Sequence, residues 1–236
     1  MKIVIAGQKW FGTEVFRALS PMVQVVLVSA PRGDRLMEAA RQAGIDTIEA
    51  GSLTSRTMPD DVDLIVAAHS HDFISERTRL RARYGAIGYH PSLLPVHRGR
   101  DAIEWTIRMR DRITGGTVYR LNNRIDGGPI LAQEHVHVQV GDTAADLWRR
   151  ALGPLGVKLL TQTVQRFLEH GYIHGVEQDE ALATWEPSIG RAPLHRPDLF
   201  LLEDLRQSAV GPGRIPVRDP HGKIETRSLS GASVGA

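Results

Sequence analysis

Short apolar runs recur through the first part of the chain, and segments with a helical pattern lie between them. Residues 13–19 and 35–43 place apolar side chains at helical spacing, whereas the runs around them are short and rich in β-branched residues. The predicted strands of this part are 2–6, 23–29, 46–49 and 63–68. Strands that alternate with helices or loops in this way predict an α/β domain built on a doubly wound, mostly parallel sheet.

The second half of the chain changes from short apolar runs to alternating and helical patterns. A buried strand is expected to end at Ala86-Ile87, and Gly115-Gly116 is expected to break the chain. Residues 117–121 and 130–138 alternate between apolar and polar side chains, which predicts an antiparallel pair with one face in water. The predicted helices are 76–83, 102–110 and 143–170, the last with a bend at Gly153-Pro154.

The last part of the chain differs in composition from the rest. Trp185-Glu186-Pro187 is expected to be a short final strand or a packing anchor. From Gly190 onward arginine, proline and glycine dominate, and the end is small and polar. We therefore predict one domain over 1–189 and a short irregular tail over 190–236 that is mobile or outside the core. An arm that contacts a partner is the alternative for this tail.

Composition excludes several classes of protein and site. The 236 residues include no cysteine, which excludes disulfides, thiolate zinc sites and a cysteine nucleophile and fits a reducing compartment. No apolar run approaches the roughly 20 residues of a membrane helix, and the first strand starts at Lys2, so no signal peptide is expected. We expect a cytoplasmic protein. A net charge of only +2 disfavours nucleic acid as a partner.

Histidines follow two predicted strands, and α/β sheets bind ligands at the carboxyl ends of their strands. The prolines of His90-Pro91-Ser92-Leu93-Leu94-Pro95 stiffen the loop, so His90 is held in one place, as a general acid or base must be. A rigid turn with a structural histidine is the alternative. Asp126 precedes Gly127-Gly128-Pro129 and is expected to have an unusual backbone, although aspartate is also a common turn residue.

Other motifs give weaker indications of chemistry. Gly7 and Gly12 lack the spacing of a dinucleotide fingerprint and the Lys-Ser/Thr of a P-loop, so a tight βα turn is favoured over a phosphate site. His69 and His71 form a His-x-His pair without a convincing third ligand, which favours a ligand-lining loop over a metal site. His135 and His137 share one strand face and are predicted to be surface residues. No metal is expected.

Two motifs in this order resemble the catalytic signature of the formyltransferase family. They are His90-Pro91-Ser92-Leu93-Leu94-Pro95-x-x-Arg98-Gly99 and Asp126-Gly127-Gly128-Pro129-Ile130-Leu131. The family includes glycinamide ribonucleotide and methionyl-tRNA formyltransferases and the hydrolase domain of 10-formyltetrahydrofolate dehydrogenase. The stretch Ala6-Gly7-Gln8-x-x-Phe11-Gly12, together with Tyr89 and His97 around the first motif, is most similar to that hydrolase domain.

The resemblance implies a Rossmann-like fold, 10-formyltetrahydrofolate as formyl donor, and His90 with Asp126 as the catalytic pair. It also implies a folate pterin between the loops 67–73 and 124–128, with an apolar contact from the first motif. The residues expected to bind the folate are Ala67, His69, Phe73, Leu93, Arg124, Ile125, Gly127 and Gly128.

One position departs from the pattern of most members of the family. They carry an asparagine two residues before the histidine, where it helps to bind the oxyanion, and Gly88 stands there in this chain. Loss of one such donor costs about 10²–10³-fold in rate. Water, Tyr89 or a group of the substrate is the expected replacement. Members similar to the dehydrogenase also lack the asparagine.

The favoured function is transfer of a formyl group from 10-formyltetrahydrofolate to an amine of a small metabolite. A hydrolase that releases formate is the first alternative. Methionyl-tRNA formylation is less favoured, because the stretch after Pro187 is short and rich in proline. A folate-binding module without activity is the alternative from another class. The expected partners are a folate and a small-molecule amine, and a homodimer is left open.

Overall fold

The computed structural model describes residues 1–70, 72–186, 188–189, 214–218 and 224–228. Within these residues the strands are β1 Lys2–Gly7, β2 Gln24–Ala30, β3 Thr47–Glu49, β4 Leu64–Ala68, β5 Ala86–His90, β6 Ile113–Arg120, β7 Ile130–His137, β8 Arg214–Arg218 and β9 Ile224–Ser228. The helices are α1 Lys9–Leu19, α2 Arg35–Gln42, α3 Glu76–Arg79, α4 Ala102–Arg108, α5 Ala144–Leu147 and α6 Gly153–His170.

One seven-stranded sheet carries the fold, in the order β3-β2-β1-β4-β5-β6-β7. The strands β1 to β5 pair in parallel, and β6 and β7 add two antiparallel pairs at one edge. The predicted α/β class and mostly parallel sheet are therefore confirmed. The strand order reverses between β1 and β4, and in open sheets ligands bind beside such a switch point.

Both faces of the central strands are covered, which explains their unbroken apolar runs. On β1, Ile3 and Ile5 pack into the cluster formed with α1, α2 and α6, whereas Val4 and Ala6 pack into a second cluster on the other face. Alternate residues of a strand point to opposite faces, so a strand buried on both sides must be apolar throughout.

The predicted long helix over 143–170 is wrong in one respect. The chain forms α5, then a π-helical turn over Trp148–Leu152, and only then α6. Pro154 has no N–H to donate to the preceding turn, so an uninterrupted α-helical ladder is excluded at this point. The Tyr89 hydroxyl donates a 2.7 Å hydrogen bond to the Leu152 carbonyl oxygen in the widened turn.

Gly115 and Gly116 do not break the chain, because both lie within β6. Close packing requires that these two positions have no side chain. A Cβ at Gly115 would lie 2.5 Å from Leu93 Cδ2, and one at Gly116 would lie 2.3 Å from the Tyr89 hydroxyl. A glycine inside a strand often marks such a close approach.

The described part of the tail is the antiparallel pair of β8 and β9, which forms a sheet of its own. The remainder of the predicted tail lies outside the described residues, as do His71 and Pro187. The boundary after residue 189 stays a prediction. Within the described residues, no helix has both the length and the apolar character that crossing a membrane requires.

Candidate active site

His90 is the last residue of β5, and its ring is held from one side by the loop that follows. The residue is only 6% exposed, and its Nε2 lies 2.7 Å from the His97 carbonyl oxygen. Because a carbonyl oxygen only accepts hydrogen bonds, Nε2 carries a proton in this arrangement. The Nδ1 atom is therefore the ring nitrogen that is left to take part in chemistry.

Asp126 faces this nitrogen. Its Oδ2 lies 3.6 Å from His90 Nδ1, which is beyond direct hydrogen-bond length but close enough for one atom of a ligand to contact both groups. The backbone of Asp126 has a φ of 49°, in the left-handed region, so the predicted unusual backbone is present. The structure therefore brings together the two residues that the sequence motifs place far apart in the chain.

Both carboxylate oxygens of Asp126 have fixed partners. The Gly99 N–H donates a 2.8 Å hydrogen bond to Oδ2, and the Tyr119 hydroxyl donates a 2.6 Å hydrogen bond to Oδ1. Burial first, and the neighbouring Asp126 second, raise the pKa of Tyr119 well above its ordinary value. Tyr119 is therefore a neutral donor at any working pH, and the carboxylate is oriented before a ligand binds.

The loop that carries Asp126 is anchored by Gln178. Its Nε2 donates to the carbonyl oxygens of Asp126 and Gly128, at 2.7 Å in each case. Its Oε1 accepts from Nη2 of Arg98 at 2.7 Å and from Nε at 3.1 Å. Nη1 and Nη2 of the same guanidinium donate to the two carboxylate oxygens of Glu180, both at 2.8 Å. A buried arginine thus joins the loop after β5 to the segment that anchors Asp126.

His97 lies between two carboxylates behind the site. Its Nε2 lies 2.8 Å from Asp111 Oδ2, and its Nδ1 lies 2.9 Å from Glu186 Oε1. The second approach is an ion-pair contact without the alignment of a good hydrogen bond. Burial by itself lowers the pKa of His97, but the close contacts with the carboxylates of Glu186 and Asp111 and their negative charges outweigh it and raise that pKa above its ordinary value. The His97 side chain therefore supports the carbonyl group that orients His90.

The His97 arrangement predicts a specific dependence of stability on pH. A histidine whose pKa is raised by folding stabilises the protein fully below its unfolded pKa of about 6.5, and that contribution is lost as the pH rises through the raised value. We expect the free energy of unfolding, measured with urea, to fall over this range, and the fall to be smaller in the variant His97→Gln. The exposed His135 provides the control, because His135→Gln should keep the full dependence. Equal pH dependence in His97→Gln and the unchanged protein would contradict this account.

Gly88 and Tyr89 point to opposite faces of β5. Gly88 lies on the same face as His90, whereas the Tyr89 ring packs against Phe11 on the opposite face, with ring centroids 5.4 Å apart. Tyr89 is therefore not the group that replaces the usual asparagine, contrary to one expectation from the sequence. A Cβ at Gly88 would lie 3.1 Å from Leu121 Cδ1 and 3.6 Å from Tyr119 Cε1. The side chains of Leu121 and Tyr119 occupy the space beside Gly88.

The residues of the first predicted folate loop lie near the end of β4. Ala67 is on β4 and pairs with Gly88 of β5. His69 has a φ of 62°, and its ring centroid lies 6.3 Å from that of Trp148. Phe73 is 57% exposed. Only Ala67 is thus paired with β5, and the role of these positions in folate binding stays a prediction.

The other predicted folate residues are divided between two places. Leu93 packs against Gly115 within the sheet. Arg124 is exposed and lies 3.3 Å from Glu180 Oε1, Ile125 is half-buried, and Gly127 and Gly128 are buried next to Asp126. The loop 124–128 thus directly adjoins the His90–Asp126 pair, whereas Leu93 supports the sheet beside it.

The structure adds little to the metal alternative. Among the described residues, no group of three or more histidine, aspartate or glutamate side chains could hold a metal ion. His71 lies outside the described residues, so the His-x-His pair itself is not seen complete. His135 and His137 are exposed on β7, as predicted.

Sequence reasoning missed the residues that orient the pair. Tyr119, Gln178 and Glu186 belong to no motif and reach the site from distant parts of the chain. The sequence around Tyr119 carries no signal of this role, because the role depends on a contact with Asp126 across the fold.

A cavity of about 510 Å³ also lies between α1 and α2, with Trp10, Arg17 and Arg35 in its wall. Neither residue of the His90–Asp126 pair lines it.

Several known proteins are similar to this chain. A family model described as formyl transferase matches residues 3–164. The cytosolic 10-formyltetrahydrofolate dehydrogenase of Xenopus laevis is 32% identical over 203 residues, which cover 79% of this chain and 22% of that protein. The chain thus spans 22% of the length of that dehydrogenase.

This chain matches a larger share of a second relative and of a solved structure. The methionyl-tRNA formyltransferase of Coxiella burnetii is 34% identical over 230 residues, covering 89% of this chain and 69% of that enzyme. The structure of an N-formyltransferase from Helicobacter canadensis, in complex with folinic acid and dTDP-3-aminofucose, superposes with a TM-score of 0.67 at 17% identity. It covers 79% of this chain and 70% of the other, and at this identity the likeness concerns the fold.

Proposed function

The chain belongs to the formyl transferase family, and from this premise we propose that it transfers the formyl group of 10-formyltetrahydrofolate to an amine of a small metabolite. The observation that carries the proposal is the pair of His90 Nδ1 and Asp126 Oδ2, 3.6 Å apart and each fixed by a backbone group. The Helicobacter canadensis structure, with its folate analogue and amino sugar, supports both halves of the substrate pair.

The pair divides the work of acyl transfer. The acceptor amine attacks the formyl carbon, and the carbonyl oxygen becomes an oxyanion as the new C–N bond forms. Asp126 Oδ2 accepts the proton that the attacking amine loses, and a proton on His90 Nδ1 stabilises the oxyanion. The bond from the formyl carbon to the folate nitrogen then breaks, and that nitrogen takes up a proton.

Hydrolysis is the second candidate, and a specific observation favours it. Gly88 provides no side-chain donor beside His90, and the dehydrogenase relatives act on 10-formyltetrahydrofolate by their names. Water in place of the amine would pass through the same pair and release formate. The two candidates differ only in the nucleophile.

One assay separates the two candidates. The protein is incubated with 10-formyltetrahydrofolate alone, with a panel of amino sugars and amino nucleotides, and with methionyl-tRNA. Formate, formylated product and tetrahydrofolate are quantified. Formylated amine in equal amount to tetrahydrofolate supports the proposal, whereas formate release that no amine changes supports the hydrolase. Folate binding in calorimetry without turnover under any condition would reject both.

The proposed folate cleft predicts a role for Arg79 of α3. Its buried guanidinium donates at 2.5 Å to the Ile74 carbonyl oxygen and at 2.5 Å to Asn123 Oδ1. It therefore joins the residue that follows one expected pterin loop, 67–73, to the residue that precedes the other, 124–128. We expect Arg79→Met to raise the KM for 10-formyltetrahydrofolate about tenfold, with a smaller change in kcat, because one charged hydrogen bond between the loops is lost. Steady-state kinetics provides the measurement.

The exposed Arg77 lies on the same helix, so Arg77→Met is a matched control that should leave both constants unchanged. An Arg79→Met protein in which kcat falls and KM stays constant would contradict a role in folate binding.

A further inference from the structure

Gly88 and Tyr119 are directly opposite each other in the antiparallel pair of β5 and β6. The Tyr119 ring lies against the β5 backbone at Gly88, on the face from which His90 projects. A Cβ at Gly88 would lie 3.6 Å from Cε1 and 3.7 Å from Cζ of that ring. These are ordinary van der Waals distances, so the ring packs directly on the strand that carries His90.

The Tyr119 hydroxyl ends at the carboxylate of Asp126. Its oxygen lies 2.6 Å from Oδ1, and the residue is only 9% exposed, so water does not compete freely for this bond. The Gly99 N–H holds the other oxygen at 2.8 Å. With Tyr119 bonded to Oδ1 and Gly99 bonded to Oδ2, the carboxylate is held against rotation about the Cβ–Cγ bond of Asp126. Its Oδ2 therefore stays directed at His90.

We propose that Tyr119 is a positioning residue of the reaction and that its hydroxyl orients Asp126 in this chain. The inference rests on the proposed function for its kinetic consequence, whereas its structural consequence is independent of it. Tyr119 is assigned no contact with the substrate. It acts by restricting the carboxylate to the single rotation in which it meets the His90 ring.

The test compares two tyrosines whose hydroxyl groups donate to different acceptors. Tyr119→Phe removes the donor to Asp126 and keeps the ring, whereas Tyr89→Phe removes a 2.7 Å bond to a backbone carbonyl on the other face. We expect Tyr119→Phe to lower kcat about 10- to 100-fold, as loss of a hydrogen bond to a charged group does, with the KM for the folate unchanged. Tyr89→Phe should keep the kcat of the unchanged protein.

Crystal structures of both variants provide a readout that needs no turnover. In Tyr119→Phe the Asp126 carboxylate should be rotated or split between two orientations, and in Tyr89→Phe it should be unchanged. An unmoved carboxylate, or a rotated one with full kcat, would overturn the inference. If the unchanged protein turns over no formyl folate at all, the proposed function fails, and the rotation of the carboxylate alone decides the role of Tyr119.

Discussion

Replacement of His90 by alanine is expected to lower kcat by about 10²–10⁴-fold, the usual contribution of a positioned acid or base. The loss follows from the geometry, because Nδ1 is the free ring nitrogen and no other imidazole faces Asp126 Oδ2 among the described residues. Single-turnover formyl transfer measures the chemical step directly. His135→Ala is the matched control, because that histidine is exposed on β7 and should leave the rate unchanged.

Asp126→Asn tests the other half of the pair. The amide has the shape of the carboxylate but cannot accept a proton from the attacking nucleophile in the same way. We expect a loss comparable to that of His90→Ala, and a double variant that is scarcely slower than either single one, because groups that act as a unit are strongly non-additive. Turnover that survives both changes, or losses that simply multiply, would show that these residues do not act together.

The second large effect concerns stability. Glu180→Ala is expected to lower the free energy of unfolding by about 3 kcal/mol, because it leaves the buried guanidinium of Arg98 without its carboxylate partner. The Arg98 side chain is 0% exposed, and Glu180 is 44% exposed. That partial exposure places the effect at the low end of the range for breaking a buried pair. Urea unfolding provides the measurement.

Glu134 offers a closely matched control for Glu180. It is equally exposed, at 44%, and also forms an ion pair, but its partner Lys158 is itself 50% exposed. Glu134→Ala should cost between 0 and about 1 kcal/mol, as surface pairs do. If the two variants lose the same free energy of unfolding, the burial of Arg98 has no special weight.

The parallel half of the sheet was predictable because burial on both faces leaves a strong signal in the sequence. Ile3 to Ala6 are apolar without interruption, and the structure buries all four residues. The β6 strand was shortened in the prediction because two glycines usually break a strand, and the packing that requires them comes from Leu93 and Tyr89 on a different element. Pattern alone cannot reveal such a contact.

The residues of the site likewise fall into those with a signal in the sequence and those without one. His90 and Asp126 stand in recognisable motifs, since loop stiffness and glycine turns are local properties. Tyr119 and Gln178 have no local signal, because their function arises from the contacts they make with Asp126 across the fold. A sequence therefore indicates the reactive groups more readily than the groups that hold them.

The segment 178–186 holds several of these residues in place. It supplies Gln178 to the Asp126 loop, Glu180 to Arg98, and Thr184 and Glu186 to His97. All of it lies beyond residues 3–164, the part matched by the family model. Chimeras that exchange only the matched part between relatives would transplant His90 and Asp126 without the segment that holds them. We therefore expect that exchanges must extend through residue 186 to keep the geometry of this pair.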